Sequence, residues 1–146
     1  MLNEINHEAK VAYHLFYVSL KYTKTTDVIL NLISRWESLL NKCMEFMLKK
    51  YKKNKKISEI PSTPKAKELA IRKLCKDELV QKIMGVYSLF HRLPELEKIR
   101  EHEFRKNVAV IVLNYGIKIE INMEKLKEWN ALIENFIKYI NQIAKK

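Results

Sequence analysis

The sequence predicts an all-α fold: a single domain over residues 1–146, a bundle of about five helices with a short β-hairpin at about 108–121 before the last one. Three observations carry that expectation. The chain has only two glycines and three prolines, too few turn formers for a sheet-rich fold. Across residues 26–51, Ile29, Leu32, Ile33, Trp36, Leu39, Leu40, Cys43 and Met47 recur at three- and four-residue steps, which is one face of a long amphipathic helix. Near residue 108 the apolar period shortens to two, the signature of a strand.

The first helix covers residues 4–21. Ile5, Ala9, Ala12, Phe16 and Leu20 mark its inner face, and Tyr13, Leu15, Tyr17 and Val18 widen it enough for a second neighbour or a second subunit. The connection to the next helix is short, so the two form an antiparallel pair. Thr25 or Thr26 supplies the cap there, and Asp27 suits the positive helix start. After residues 57–64, the clearest loop, Thr63 as N-cap and Pro64 at the first helical position open a third helix that runs to about residue 76. Ala66, Leu69, Ala70 and Leu74 are expected inward, with Lys65, Arg72 and Lys76 outward.

Asp77 is placed to cap a fourth helix carrying Leu79, Val80, Ile83, Met84, Tyr87 and Phe90. The pattern leaves open whether the third and fourth helices are separate or one bent rod. Pro94 then interrupts it, and the charged stretch 95–104 reads as one more, mostly exposed, helix. Val108 to Leu113 is β-branched and apolar, Asn114-Tyr115-Gly116 is a turn, and Ile117, Ile119 and Ile121 alternate with Lys118 and Glu120. A lone hairpin is marginal in water, so this one has to pack against the helices. Asn122 caps the last helix, with Leu126, Trp129, Ile133, Phe136, Ile137, Ile140 and Ile143 as its stripe.

Charge supplies the functional hint. The formal net charge is +11, and residues 49–76 hold ten Lys and one Arg against Glu59 and Glu68, which is +9 and leaves +2 elsewhere. Segregation of this kind points to a polyanionic partner, nucleic acid first and RNA favoured, rather than to a solubilising coat. The candidate contacts are Lys49, Lys50, Lys52, Lys53, Lys55 and Lys56, with Arg72 and Lys76 on the third helix. Tyr51 and Asn54 lie among them as an aromatic and an amide able to stack on or hydrogen-bond to a base. A frayed helix end is the plain alternative, since lysine suits the negative C-terminal dipole; that accounts for one or two lysines, not six in eight positions.

Catalysis is not expected. There is no Gly-rich phosphate loop, no H-E-x-x-H and no nucleophile elbow. His7 and His14 are seven residues apart, two turns rather than one, so they do not share a metal. Cys43 sits on an apolar stripe and Cys75 has no base beside it. No catalytic residue, metal ligand or cofactor is assigned, although His102 with Arg100 or Arg105 is the arrangement a metal-independent nuclease would use. Two cysteines are no disulfide framework, no secretory leader is read at Met1, and no apolar run reaches the ~20 residues of a membrane span. A cytoplasmic protein is expected.

The order of elements resembles the archaeal HEPN-like helical-bundle proteins. The likeness rests on Ala12-Tyr13-His14-Leu15-Phe16-Tyr17-Val18 in the N-terminal helix pair, the basic connection, and Glu103-Phe104-Arg105-Lys106 before the apolar strand. It implies a helical bundle, often dimeric, in a group with many RNA-directed members. HEPN ribonucleases carry an Arg and a His four to six residues apart on one helix, and no Arg here has a His at that spacing. The resemblance therefore implies a non-catalytic member. The alternative is a structural subunit, a homodimer or a toxin–antitoxin-like component, using apolar faces of the first helix and the hairpin.

Overall fold

A computed structural model describes residues 1–145. It contains five helices and a three-stranded antiparallel sheet that precedes the last helix. The first helix, α1 (Leu2–His14), continues through one π-helical turn (Leu15–Ser19) and a final short helical piece (Leu20–Tyr22). Next come α2 (Thr26–Lys53), α3 (Pro64–Leu74) and α4 (Glu78–Arg92). The strands are β1 (Lys98–Glu101), β2 (Ala109–Asn114) and β3 (Ile117–Ile121), and α5 (Met123–Ala144) closes the chain.

Each expected cap is made. Thr25 Oγ1 accepts from the Val28 N–H, Thr63 Oγ1 from Ala66, Asp77 Oδ1 from Leu79 and Asn122 Oδ1 from Lys125. Residues 75–77 separate α3 from α4, so the two are distinct helices. All eight apolar positions read along α2 are buried, together with Met44 and Leu48. Around them an aromatic ladder ties four helices together. Trp36 of α2 stacks on Phe90 of α4 at 5.9 Å, Phe90 meets Trp129 of α5 edge-on at 5.1 Å, and Phe16 of the α1 extension lies 6.3 Å from Trp36.

Two expectations are corrected. Residues 95–104 do not form a helix: a 3₁₀ turn (Leu93–Glu95) follows α4, and β1 then pairs with β2, Lys98 opposite Val112 and Glu101 opposite Ala109. Val108 to Val112 are all buried, so both edges of β2 must find partners for their backbone groups, and the hairpin fills only one. A charged segment with no apolar helical stripe serves well as the other, exposed edge. On α3, Leu69 is exposed and Ile71 and Glu68 are buried instead. The helix is turned from the expected face by Lys67 pairing with Glu45 of α2, and the Glu68 carried inward is answered within α3 by Arg72 Nε at 2.8 Å.

The loop after β1 latches onto the start of α2. Glu103 Oε1 accepts from the Thr26 N–H at 2.6 Å, Phe104 N–H donates to the Lys24 carbonyl, and Arg100 Nη1 reaches Thr26 Oγ1 and Asp27 Oδ1 at 3.0 and 2.5 Å. Glu103 thus places a carboxylate on an otherwise unpaired helix N–H. Replacing Glu103 by Ala is expected to cost about 1 kcal/mol, the usual worth of a helix cap, and to lower the thermal midpoint by several degrees. A melt indistinguishable from the parent contradicts the latch.

Candidate functional site

The lysine run ends α2 because of how that helix stops. The Lys56 N–H bonds to the Tyr51 carbonyl and the Lys55 N–H to that of Lys52, a Schellman closure with Lys55 in the left-handed region at φ 63°. Lys52 and Lys53 follow Lys49 by three and four residues on the last exposed turns of the helix, and Lys55 and Lys56 are exposed just past its end. No carboxylate among the described residues pairs with any of these five.

Three helix C-termini meet at this end. The Cys75 thiol, just past α3, lies 3.5 Å from the Tyr139 hydroxyl of α5 and also contacts the Tyr51 hydroxyl of α2. Lys50 Nζ donates to the Ile143 carbonyl near the end of α5. Lys73 in the last turn of α3, Lys76 just past it and Lys145 just past α5 are at the same helix ends, all of them exposed. Helix C-termini carry partial negative charge, so lysines there are favoured within the last turn, typically by ~0.3–1 kcal/mol each. The dipoles hold the first few; the outer lysines face solvent with no counter-charge from the chain.

Several expected contacts lie elsewhere. Lys50 is engaged with α5. Arg72 is half-buried and bound to buried Glu68, so its charge is already answered; its carbonyl accepts from Lys76 Nζ at 3.2 Å. Tyr51 is no stacking platform. It packs against the core, Lys56 Nζ sits 5.6 Å from its ring, and burial first and the Cys75 contact next push its hydroxyl far above the ordinary tyrosine range. Asn54 is exposed and caps α2 through its backbone.

Both histidine arrangements lie on the surface. His7 and His14 are both exposed on α1, and no three His, Cys, Asp or Glu among the described residues are grouped to hold a metal. Arg100, one arm of the nuclease alternative, is held by Asp27, whose hydrogen bond raises the guanidinium pKa further, while His102 rests 3.5 Å from Glu101. No helix among the described residues is long and apolar enough to cross a membrane. The i, i+4 spacing of Glu68 and Arg72 was the one signal in the sequence that α3 would answer its own arginine.

Two groups buried elsewhere in the core make stability alkaline-sensitive. Burial pushes the Cys43 thiol from 9.0 up to about 12, and burial, with Glu37 and Glu68 nearby, pushes Tyr87 from 10.0 up to about 12. Both groups are neutral in the fold at pH values where the unfolded chain ionises, so the unfolded state binds fewer protons. Their contribution is complete below pH 9 and is lost as pH rises towards 12. Urea midpoints are expected to fall steadily across that window, and a midpoint at pH 11 equal to that at pH 8 overturns the account. Comparison of the chain with known protein families, with curated proteins and with solved structures finds no match.

Proposed function

We propose that the chain is a non-catalytic, cytoplasmic binding module, HEPN-like in kind, that grips a polyanion, with RNA or a ribonucleoprotein surface as the partner. The observation that supports this reading is the end face where α2, α3 and α5 stop together. It holds Lys49, Lys52, Lys53, Lys55 and Lys56 exposed and unanswered by any carboxylate among the described residues, with Lys73, Lys76 and Lys145 beside them. Point charges on flexible stems suit phosphates and carry no base readout, so binding of this kind is salt-dependent and weakly sequence-specific. A specific observation also favours a second reading, a partner-binding or homodimeric subunit. Ile99, Leu113 and Ile117 of the sheet are 58%, 49% and 66% exposed, and Tyr13, Tyr17 and Val18 are exposed on the first helix.

Replacing Lys52, Lys53, Lys55 and Lys56 together by Glu is expected to abolish retention of single-stranded RNA while helical circular dichroism stays at the parent level. Unchanged retention removes the lysine face from the function. Alanine at the same four sites is expected to flatten the plot of log affinity against log salt by about 0.7 for each phosphate the variant no longer neutralises. Light scattering with and without RNA separates the second reading, which expects an oligomer indifferent to nucleic acid.

Lys55→Gly separates binding from folding. Glycine adopts the left-handed closure without the steric penalty, so the variant is expected to gain about 0.5–1 kcal/mol of stability and yet to bind RNA more weakly. A variant that gains stability with no change in affinity excludes Lys55 from the interface.

A further inference from the structure

We infer that the cleft between the start of α3 and the end of α4 is a second binding site, one that takes a nucleoside monophosphate group, with the phosphate on Arg92 and the base on Tyr115. The cleft has a volume near 260 Å³ and is lined by Thr63, Lys65, Ser88, His91, Arg92 and Tyr115, among others. That is below the ~300–1,000 Å³ of sites that enclose a whole small molecule, so it suits one phosphate group with the rest of the ligand outside. Nothing in this proposal depends on the lysine end face. The cleft lies at the opposite end of the 11-residue α3, ~15 Å away at 1.5 Å per residue.

Arg92 supplies the first argument. Arg92 lines the cleft, and its Nη1 has no hydrogen-bond partner among the described residues; the atom is covered from solvent in this conformation, so a phosphate reaches it with a shift of the side chain. Buried guanidinium donors are rarely left unpaired, and the forked donor set of arginine matches a phosphate better than any other common group. Glu68 also lines the cleft and is answered by Arg72 Nε at 2.8 Å, while the lining His91 is paired through Nδ1 with Glu37 at 2.9 Å. Arg92 and Lys65 therefore leave the cleft with surplus positive charge, next to the positive end of the α3 dipole, and Ser88 adds a hydroxyl donor.

Tyr115 supplies the second. The residue is 82% exposed, with the Arg92 guanidinium carbon 3.8 Å from the ring centroid on one face. A ring covered on one side by a cation and open on the other is a platform for a base. Its backbone is at φ 53°, in a turn where Asn or Gly would sit without strain. The ring stays outside the core and its one contact in the chain is the Arg92 guanidinium, so a backbone position that favours Asn or Gly is held by a residue whose free face is open to a ligand.

The test measures binding of adenosine 5′-monophosphate, inorganic phosphate and adenosine to the full chain by isothermal titration calorimetry. The nucleotide is expected to bind at least tenfold more tightly than phosphate or adenosine alone. Tyr115→Asn, which suits the turn and keeps the fold, is expected to weaken nucleotide binding at least tenfold while its thermal midpoint holds or rises. Arg92→Met is expected to remove the advantage of the nucleotide over adenosine. The Lys52/Lys53/Lys55/Lys56→Glu variant is expected to bind the nucleotide like the parent. A 5′-phosphorylated RNA decamer that displaces the nucleotide, where its 5′-hydroxyl counterpart does not, assigns the site to RNA ends; failure of both to displace it assigns the site to free nucleotide. No heat at 1 mM nucleotide, or binding that both single variants leave intact, overturns the proposal.

Discussion

The burial of one face of α2 is the constraint from which the rest of the structure follows. At 28 residues and 1.5 Å per residue, α2 is ~42 Å long, about twice the length of α4 and more than twice that of α3, so neither covers it alone. Trp36 in its first half meets Phe16, Phe90 and, through Phe90, Trp129, which brings α1, α4 and α5 onto one aromatic ladder. Truncating a fully buried aromatic of this kind typically costs ~3–5 kcal/mol, a large share of the stability of a small domain. Farther along, Cys43, Met44, Met47 and Leu48 are buried too, with α1 and α3 packed along α2 and Lys50 tied to the end of α5. That requirement is what makes three helices stop at the same end.

The two ends of α2 are consequently opposite in character. Its start is held by Glu103 and Asp27, acidic groups on the positive end of the dipole, with Arg100 bridging Asp27 and Thr26. Its finish carries lysines against negative ends. The strand β1 serves the first arrangement as well as the sheet, because pairing with β2 is what delivers Arg100 and Glu103 to the helix start. The segment Glu103-Phe104-Arg105-Lys106, read in the sequence as a family-like feature, is in structural terms the latch itself.

The fold was legible wherever the cause was local. Periodicity marked the α2 stripe, and Thr25, Thr63, Asp77 and Asn122 marked the helix starts through side-chain chemistry contained within four residues. The failures share a different cause. Strand β1 forms because a distant strand needs a second edge partner, and the rotation of α3 follows from Lys67 meeting Glu45, a pairing that spans two helices. Tyr51 reads as an exposed aromatic among lysines until Cys75 and Tyr139 are brought against it. The Arg92–Tyr115 stack joins a helix end to a hairpin turn, and no short-range pattern announces it.

Lys55 and Tyr115 have a common property that bears on both proposed sites. Each occupies a left-handed backbone position where a smaller residue folds at less cost, in a Schellman closure and in a two-residue hairpin turn. Each is exposed, and neither contributes to the core. Local conflicts with the global structure concentrate where a chain does something other than fold, and these are two such positions. One of the two carries a cation and the other an open ring, the two kinds of group that recognise phosphate and base.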